Sequence, residues 1–274
     1  MNQIKLHLLK CGEVGVDPAV PFRNVSKNPI AFTGLFRSSK LRIWIPVFTY
    51  LIETPKGLVL VDTSWNKKVR TNPIKTLSFP LWFASKPRLP KGKSVDEQIA
   101  ACGYQTSDID YVILTHMDVD HVNGLLQVKD AKHILASGDE IKESNTLDVR
   151  YNKKQWKGIN ISPIEFVETG IGPKGKSFDV FNDGVIQVVL TPGHARGSVC
   201  VVVTNPKTKD FALLVGDTGY DPDSWKKILF PGPVYNKQDM KALLLWVKEM
   251  SEKENCKGVF ACHDSNQTER IVTL

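Results

Sequence analysis

Apolar residues in this chain gather in short runs, separated by polar, proline-containing or glycine-containing stretches. Runs of this length bounded by turn signals predict buried strands. Residues 4–9 read as a first strand, and 11–40, with Pro18, Pro21 and Pro29, as a loop-rich stretch. Residues 41–54 are strongly β-prone, although Pro46 predicts an edge or a break inside them. Pro55-Lys56-Gly57 is a turn, and 58–63 return as the second arm of a hairpin. Ser94-Val95-Asp96-Glu97 has the spacing of a capping box and Gly103 supplies a stop, so 95–102 should be a helix. Further strands are predicted at 111–114, 132–136, 184–190, 199–203 and 211–215, and a helix starts at 139–142. Residues 151–176, polar and glycine-rich, read as a surface excursion. Asn236 caps a last helix whose Met240, Leu243, Leu244, Val247 and Met250 share one face. Two runs of strands, each separated by helices, fit one α/β domain over 1–274 better than two. The least regular part is 65–93, where Pro73, Pro80, Pro87 and Pro90 interleave with Leu77, Phe79, Leu81, Trp82 and Phe83. It reads as an insertion that packs on the body of the domain or serves as a lid, with Trp82 and Phe83 lining an acyl-chain groove.

Chemistry collects where the strands end. Directly after the apolar Tyr111-Val112-Ile113-Leu114 comes Thr115-His116-Met117-Asp118-Val119-Asp120-His121-Val122-Asn123-Gly124. His116, Asp118, Asp120 and His121 fall within six positions there, and a strand-to-helix turn lets all four converge on one point. His194 follows the strand-like 185–190, Asp217 follows 211–216, and His263 follows 258–262. Side chains held at strand ends are rigidly aimed, as a metal site requires. His7 and His133 lie outside this pattern and read as surface or core histidines.

This order of motifs resembles the metallo-β-lactamase superfamily, whose signature is H-x-H-x-D-H followed later by His, Asp and His ligands. The resemblance runs from Asp62 to His263. It implies a four-layer α/β/β/α sandwich with a dinuclear metal site along one edge of its two sheets. Gly216-Asp217-Thr218-Gly219-Tyr220 is similar to the N-acyl homoserine lactonase branch, which carries a tyrosine three residues after the bridging aspartate. One departure stands out: Asp118 occupies the place of the second signature histidine. By this resemblance His116, Asp118 and His194 bind a first ion, Asp120, His121 and His263 a second, and Asp217 bridges them. Asp62 becomes a candidate support for the ligands from behind.

The implied chemistry is hydrolysis of a lactone or ester, of the quorum-quenching kind. A hydroxide held between the ions attacks the carbonyl, Asp120 passes a proton to the leaving alkoxide, and Tyr220 donates a hydrogen bond to the oxyanion. Two divalent ions are expected, zinc first because the family mostly uses it. A carboxylate at Asp118 makes the site harder and favours manganese or iron somewhat more. Two alternatives share the fold. One is a phosphodiesterase or nuclease. The other is a diiron oxidoreductase of flavodiiron type, which has a carboxylate at the position of Asp118 but needs a flavin domain for which this chain has no length left.

Composition narrows the picture further. The chain has 274 residues, 42% hydrophobic and 24% charged, ordinary values for a globular protein with a sizeable core. No apolar run reaches the length of a membrane span, and residues 1–10 lack a secretory apolar region. The five cysteines are odd in number and show no paired spacing, so free thiols and a cytoplasmic location are expected. The net charge of +7 invites a nucleic-acid reading, but Lys and Arg cluster separately at 67–70, 86–93 and 153–157. A solvated surface explains them better than a phosphate-binding face, so a small lactone or ester is the expected partner rather than nucleic acid. The sequence leaves an oligomer open.

Overall fold

Two β-sheets packed face to face form the middle of the structure, a computed structural model that describes residues 3–274. Met1 and Asn2, the start of the stretch scanned for a secretory region, lie outside the described residues. The first seven strands are β1 (Lys5–Val16), β2 (Ile43–Thr54), β3 (Gly57–Val61), β4 (Lys86–Arg88), β5 (Ile109–Ile113), β6 (His133–Ser137) and β7 (Ser162–Ile164). The rest are β8 (Val167–Glu168), β9 (Lys176–Asp179), β10 (Ile186–Leu190), β11 (Val199–Thr204), β12 (Phe211–Gly216), β13 (Cys256–Ala261) and β14 (Arg270–Thr273). One sheet runs β14-β1-β2-β3-β5-β6-β7, with β4 added against β1, and the other runs β13-β12-β11-β10-β9-β8.

Residue alternation along the strands decides the layers, since successive side chains point to opposite faces. Leu6 and Leu8 of β1, Tyr50 and Ile52 of β2, and Val59 and Val61 of β3 meet Ile186, Val188, Val201, Val203 and Leu214 of the second sheet. The alternate positions point outward and take helices. Leu9, Leu51, Leu60 and Val112 pack under Val95 and Ile99. Val202, Leu213 and Val215 pack under Met240, Leu243, Leu244 and Val247. The result is the expected four-layer α/β/β/α sandwich. Its helices are α1 (Pro73–Leu77), α2 (Phe79–Ala84), α3 (Val95–Ala101), α4 (Val119–Val122), α5 (Gly138–Ser144), α6 (Pro222–Lys226) and α7 (Lys237–Ser251). Asn236 caps α7, accepting from the backbone N–H groups of Gln238 and Asp239 at 2.9 and 3.1 Å.

Strand direction places the chemistry. β3, β5 and β6 are mutually parallel, as are β12 and β13 in the other sheet. The carboxyl ends of parallel strands are where such folds keep their sites. Asp62, Thr115 to His121, Asp217 and His263 all follow those ends.

Four sequence expectations change. β1 runs on to Val16 through residues expected in a loop, by way of a register shift between Lys10 and Glu13 at which Gly12 adopts φ 104°. Pro46 neither breaks β2 nor makes it an edge: β1 pairs along it, while β3 flanks only Tyr50–Thr54, so a missing N–H at Pro46 costs no bond to β3. The stretch 65–93 is ordered by α1, α2 and β4, and Arg42 donates to the Phe83 carbonyl at 2.8 Å and to those of Ala84 and Gly15. The stretch 151–176 is more than a surface excursion, because β7 ends the first sheet there, β8 begins the second, and Ile164 and Trp156 are buried. No helix among the described residues is long and apolar enough to cross a membrane.

The α3 capping box forms as its spacing predicts, Glu97 accepting from the Ser94 N–H at 3.0 Å. The same carboxylate pairs with Arg70, whose Nη1 lies at 3.0 Å. The Arg70 hydrogen bond outweighs partial desolvation and holds the Glu97 carboxyl below its ordinary range. A depressed folded pKa adds stability above the unfolded value, near 4.5, which is lost as pH falls below it. Glu97→Gln should therefore lower the melting temperature at neutral pH, with the gap to wild type closing as acid is added below about pH 4. A gap independent of pH, measured by thermal denaturation, would assign the effect to packing.

Candidate metal centre

At the joined edge of the sheets the rings of His116, His121, His194 and His263 face one another. Ring centres lie 4.0 Å apart for His116 and His121, 4.9 Å for His116 and His194, and 5.6 Å for His121 and His263. Each imidazole is fixed through its Nδ1. His121 Nδ1 lies 2.8 Å from Asp62 Oδ2, and His263 and His194 reach the carbonyls of Pro46 and Pro233 at 2.7 and 3.1 Å. His116 Nδ1 lies 3.0 Å from Thr115 Oγ1, whose hydroxyl in turn donates to Asp62 at 2.8 Å. A protonated Nδ1 leaves the lone pair on Nε2, and in all four histidines that atom faces the centre.

Asp217 stands between the rings. Its Oδ1 lies 3.1 Å from His121 Nε2 and 3.2 Å from His263 Nε2, and its Oδ2 accepts from the Tyr220 hydroxyl at 2.7 Å. Asp120 Oδ2 lies 3.4 Å from His263 Nε2. Burial raises the Asp120 carboxyl, against the pull of His121 and His263 and with the push of Asp217 and Asp118. The Tyr220 ring stacks on His263 with centres 5.1 Å apart, and burial together with the Asp217 charge keeps its hydroxyl protonated.

These groups fit divalent cations on an observation internal to the protein. His116 Nε2, His121 Nε2 and Asp217 Oδ1 are buried and have no hydrogen-bond partner. Each such atom costs about 1–3 kcal/mol if nothing satisfies it. Two sets of donors lie within 4.8 Å of one another, one containing His121, Asp217 and His263, the other His116, His194 and Asp217. Cys262 is near the former set, but its thiol donates to the Phe48 carbonyl at 3.2 Å.

The structure thus brings together all seven expected side chains, with Asp118 differently engaged from the rest. Both Asp118 oxygens are held by Arg150, which the sequence reading did not single out: Nη2 lies 2.7 Å from Oδ2, and Nε also bonds Oδ1. Burial works to raise the Asp118 carboxyl, but the Arg150 charge, with His116 and His194, holds it well below the ordinary range. Burial and the same guanidinium push His194 down to about 4, so it is a neutral imidazole. A second unforeseen group is the buried Glu140, which accepts from Met117 N at 2.9 Å and Gly197 N at 3.2 Å and so ties the His116 loop to the His194 loop. Gly197 permits this approach, since a Cβ there would collide with Ser137 Oγ and the Glu140 backbone. A carboxylate in place of a neutral ligand was a signal that some cation must be near, but several Lys and Arg could have met it. Nothing in the sequence pattern marked Glu140.

The sequence profile of the metallo-beta-lactamase superfamily matches residues 42–255. The chain belongs to that superfamily. Among curated relatives it is 25% identical over 224 residues to the N-acyl homoserine lactonase AttM of Agrobacterium fabrum, covering 78% of this chain and 81% of that one. Among solved structures it superposes on a single-residue mutant of AiiA from B. thuringiensis, which has N-decanoyl-L-homoserine bound at the active site. That match has a TM-score of 0.77 and 20% identity and covers 97% and 96% of the two chains. AidC, a dizinc quorum-quenching lactonase, matches with a TM-score of 0.60 and 16% identity over 95% of this chain and 87% of its own. At these identities the structural matches show the shared fold.

Within this superfamily member Asp62 orients His121 directly and His116 through Thr115. Outer partners of this kind typically contribute 10–100-fold in metal affinity. Asp62→Asn should weaken zinc binding by about that factor, measured by competition with a chromophoric chelator. Unchanged affinity would show that the imidazoles are held by packing alone.

Proposed function

We propose that this chain is a metal-dependent hydrolase that opens a lactone carrying an apolar acyl chain, N-acyl homoserine lactones being the class its relatives suggest. One observation supports this most directly. A cavity of about 790 Å³ opens beside the centre, floored by Asp120, Asp217, Tyr220 and His263. Its wall is mostly apolar, with Val16, Ile45, Phe79, Leu81 and Phe83 among the lining side chains, although Arg150 and Arg196 also line it. α2 supplies the last three, which supports the lid reading of 65–93. Phe83 lines this cavity, whereas Trp82 packs against the neighbouring apolar cluster with Lys86 Nζ 4.5 Å from its ring. The apolar part of the wall suits an acyl chain.

His121, His263, Asp120 and Asp217 would hold one ion, and His116, His194 and Asp118, sharing Asp217, a second. Zinc is the first candidate. When bound, such ions polarise an ester carbonyl and lower the pKa of water toward neutrality. The chain's own residues do the rest. Water oxygen bonds to the carbonyl carbon, the ring C–O bond breaks, and Asp120 carries the released proton to the leaving alkoxide. Tyr220, at the cavity floor, turns its hydroxyl from Asp217 to the oxygen on which charge develops. The apolar wall excludes water from the acyl side and fixes the ring.

A hydrolysis panel on metal-reconstituted protein tests this, with acyl homoserine lactones of increasing chain length, aryl esters, phosphodiesters and β-lactams. Lactones should lead, with kcat/KM rising up to about fourfold per added methylene, the equivalent of about 0.8 kcal/mol. A flat dependence on chain length, or phosphodiesters ahead of lactones, would overturn the reading. Tyr220→Phe should lower kcat by up to about 10²-fold with metal content retained. An unchanged kcat would leave Tyr220 only its contact with Asp217.

A further inference from the structure

We propose that Arg150 is a tethered cation standing at the His116–His194 metal position, so that the first ion enters at His121–His263 and a second only by displacing the guanidinium.

The geometry is that of substitution, cation for cation. Arg150 Nη2 lies 2.6 Å from His194 Nε2 and 2.7 Å from Asp118 Oδ2, while Nε bonds the other Asp118 oxygen. His194 uses its Nδ1–H on the Pro233 carbonyl, so Nε2 is the lone-pair nitrogen that a metal needs. One planar guanidinium fork thereby engages two of the three side chains assigned to that ion. A metal bound at about 2.0–2.2 Å from the same two atoms would need the one Nε2 lone pair and the Asp118 oxygen that Nη2 already occupies. Ion and guanidinium exclude each other.

The other position differs. Around His121 Nε2, His263 Nε2, Asp217 Oδ1 and Asp120 Oδ2, no Lys or Arg forms an ion pair with these groups among the described residues. His116 Nε2 is left without a partner, since Arg150 does not reach it. A displaced guanidinium has somewhere to go, because Arg150 also lines the large cavity, along with Glu143 and Asp148. The departure from the family signature belongs to the same device. An imidazole at 118 would give Arg150 no anionic partner, whereas the carboxylate gives it a two-pronged one.

This inference rests on the metal-binding reading of the centre, but it does not depend on the substrate. The test is calorimetric titration of metal-free wild type, Arg150→Met and Arg150→Lys with zinc, alongside thermal denaturation of each. Wild type should show two unequal events, the second weaker by about tenfold or more. Arg150→Met should strengthen the second event and leave the first unchanged, and Arg150→Lys should fall nearer wild type. Two equal events in wild type, or a second event unmoved in a folded Arg150→Met, would overturn the proposal while the metal reading stands. No zinc binding at all would overturn both. Should Arg150→Met fail to fold, NMR of wild type labelled with 15N-arginine decides, its Nε–H signals assigned through Arg150→Lys. The Arg150 signal should stay in place through the first equivalent and shift with the second. A shift with the first, or none as two bind, would overturn it.

Discussion

Asp62 is the carboxylate on which the aim of the centre depends. It sits at the end of β3, buried, at φ 61°, a left-handed conformation that is uncommon for a residue other than glycine. Holding a residue there costs about 1–3 kcal/mol, and three hydrogen bonds offset it. Asp62 accepts from the Thr115 N–H at 2.7 Å, from the Thr115 hydroxyl at 2.8 Å and from His121 Nδ1 at 2.8 Å. Through them one side chain fixes the exit of β5, the tautomer of His121 and, by way of Thr115, the ring of His116. The loop cannot shift without leaving a buried charge unpaired, which is far costlier than the backbone strain.

That rigidity allows so much charge to be gathered out of water. Asp118, Asp120 and Asp217 crowd one edge, and buried carboxylates need compensating cations. Neutral histidines supply none of this charge. Arg150 meets the need at Asp118, and the unpartnered Asp217 Oδ1 and His121 Nε2 mark where a bound cation would supply it. Glu140 works in the opposite sense. Its oxygens are spent on backbone N–H groups of the two loops, so it adds order to the centre without being available as a ligand.

The layers and the seven candidate side chains were legible because each depends on a local pattern. Strand alternation, the α7 stripe with its Asn236 cap and the histidine spacing after β5 are all written within a few residues. What escaped was set by partners distant in sequence. Pro46 looked like a break, but its tolerance depends on β3 being short. The proline-rich stretch at 65–93 looked irregular, yet its helices are anchored by Arg42 and β1. Arg150 escaped for the same reason, lying 32 residues from Asp118 in a stretch with no periodicity. Glu140 sits in the first turn of a helix, where an acidic residue needs no further explanation.

The two halves of the sandwich show how one local design yields two roles. β3 and β12 are each followed by an aspartate and a threonine, and each lies parallel to a strand that leads into a histidine. Asp62 and Asp217 then flank the same ring, Asp62 bonded at His121 Nδ1 and Asp217 Oδ1 facing Nε2 at 3.1 Å. Their difference comes from the residue just before the neighbouring histidine. In one half it is Thr115, whose hydroxyl donates to Asp62 and leaves both of its oxygens engaged within the protein. In the other it is Cys262, whose thiol turns away to the Phe48 carbonyl. Asp217 therefore keeps Oδ1 unpartnered and aimed between His121 and His263. A hydroxyl in one half makes a carboxylate structural, and the absence of one in the other leaves its counterpart free to bind a cation.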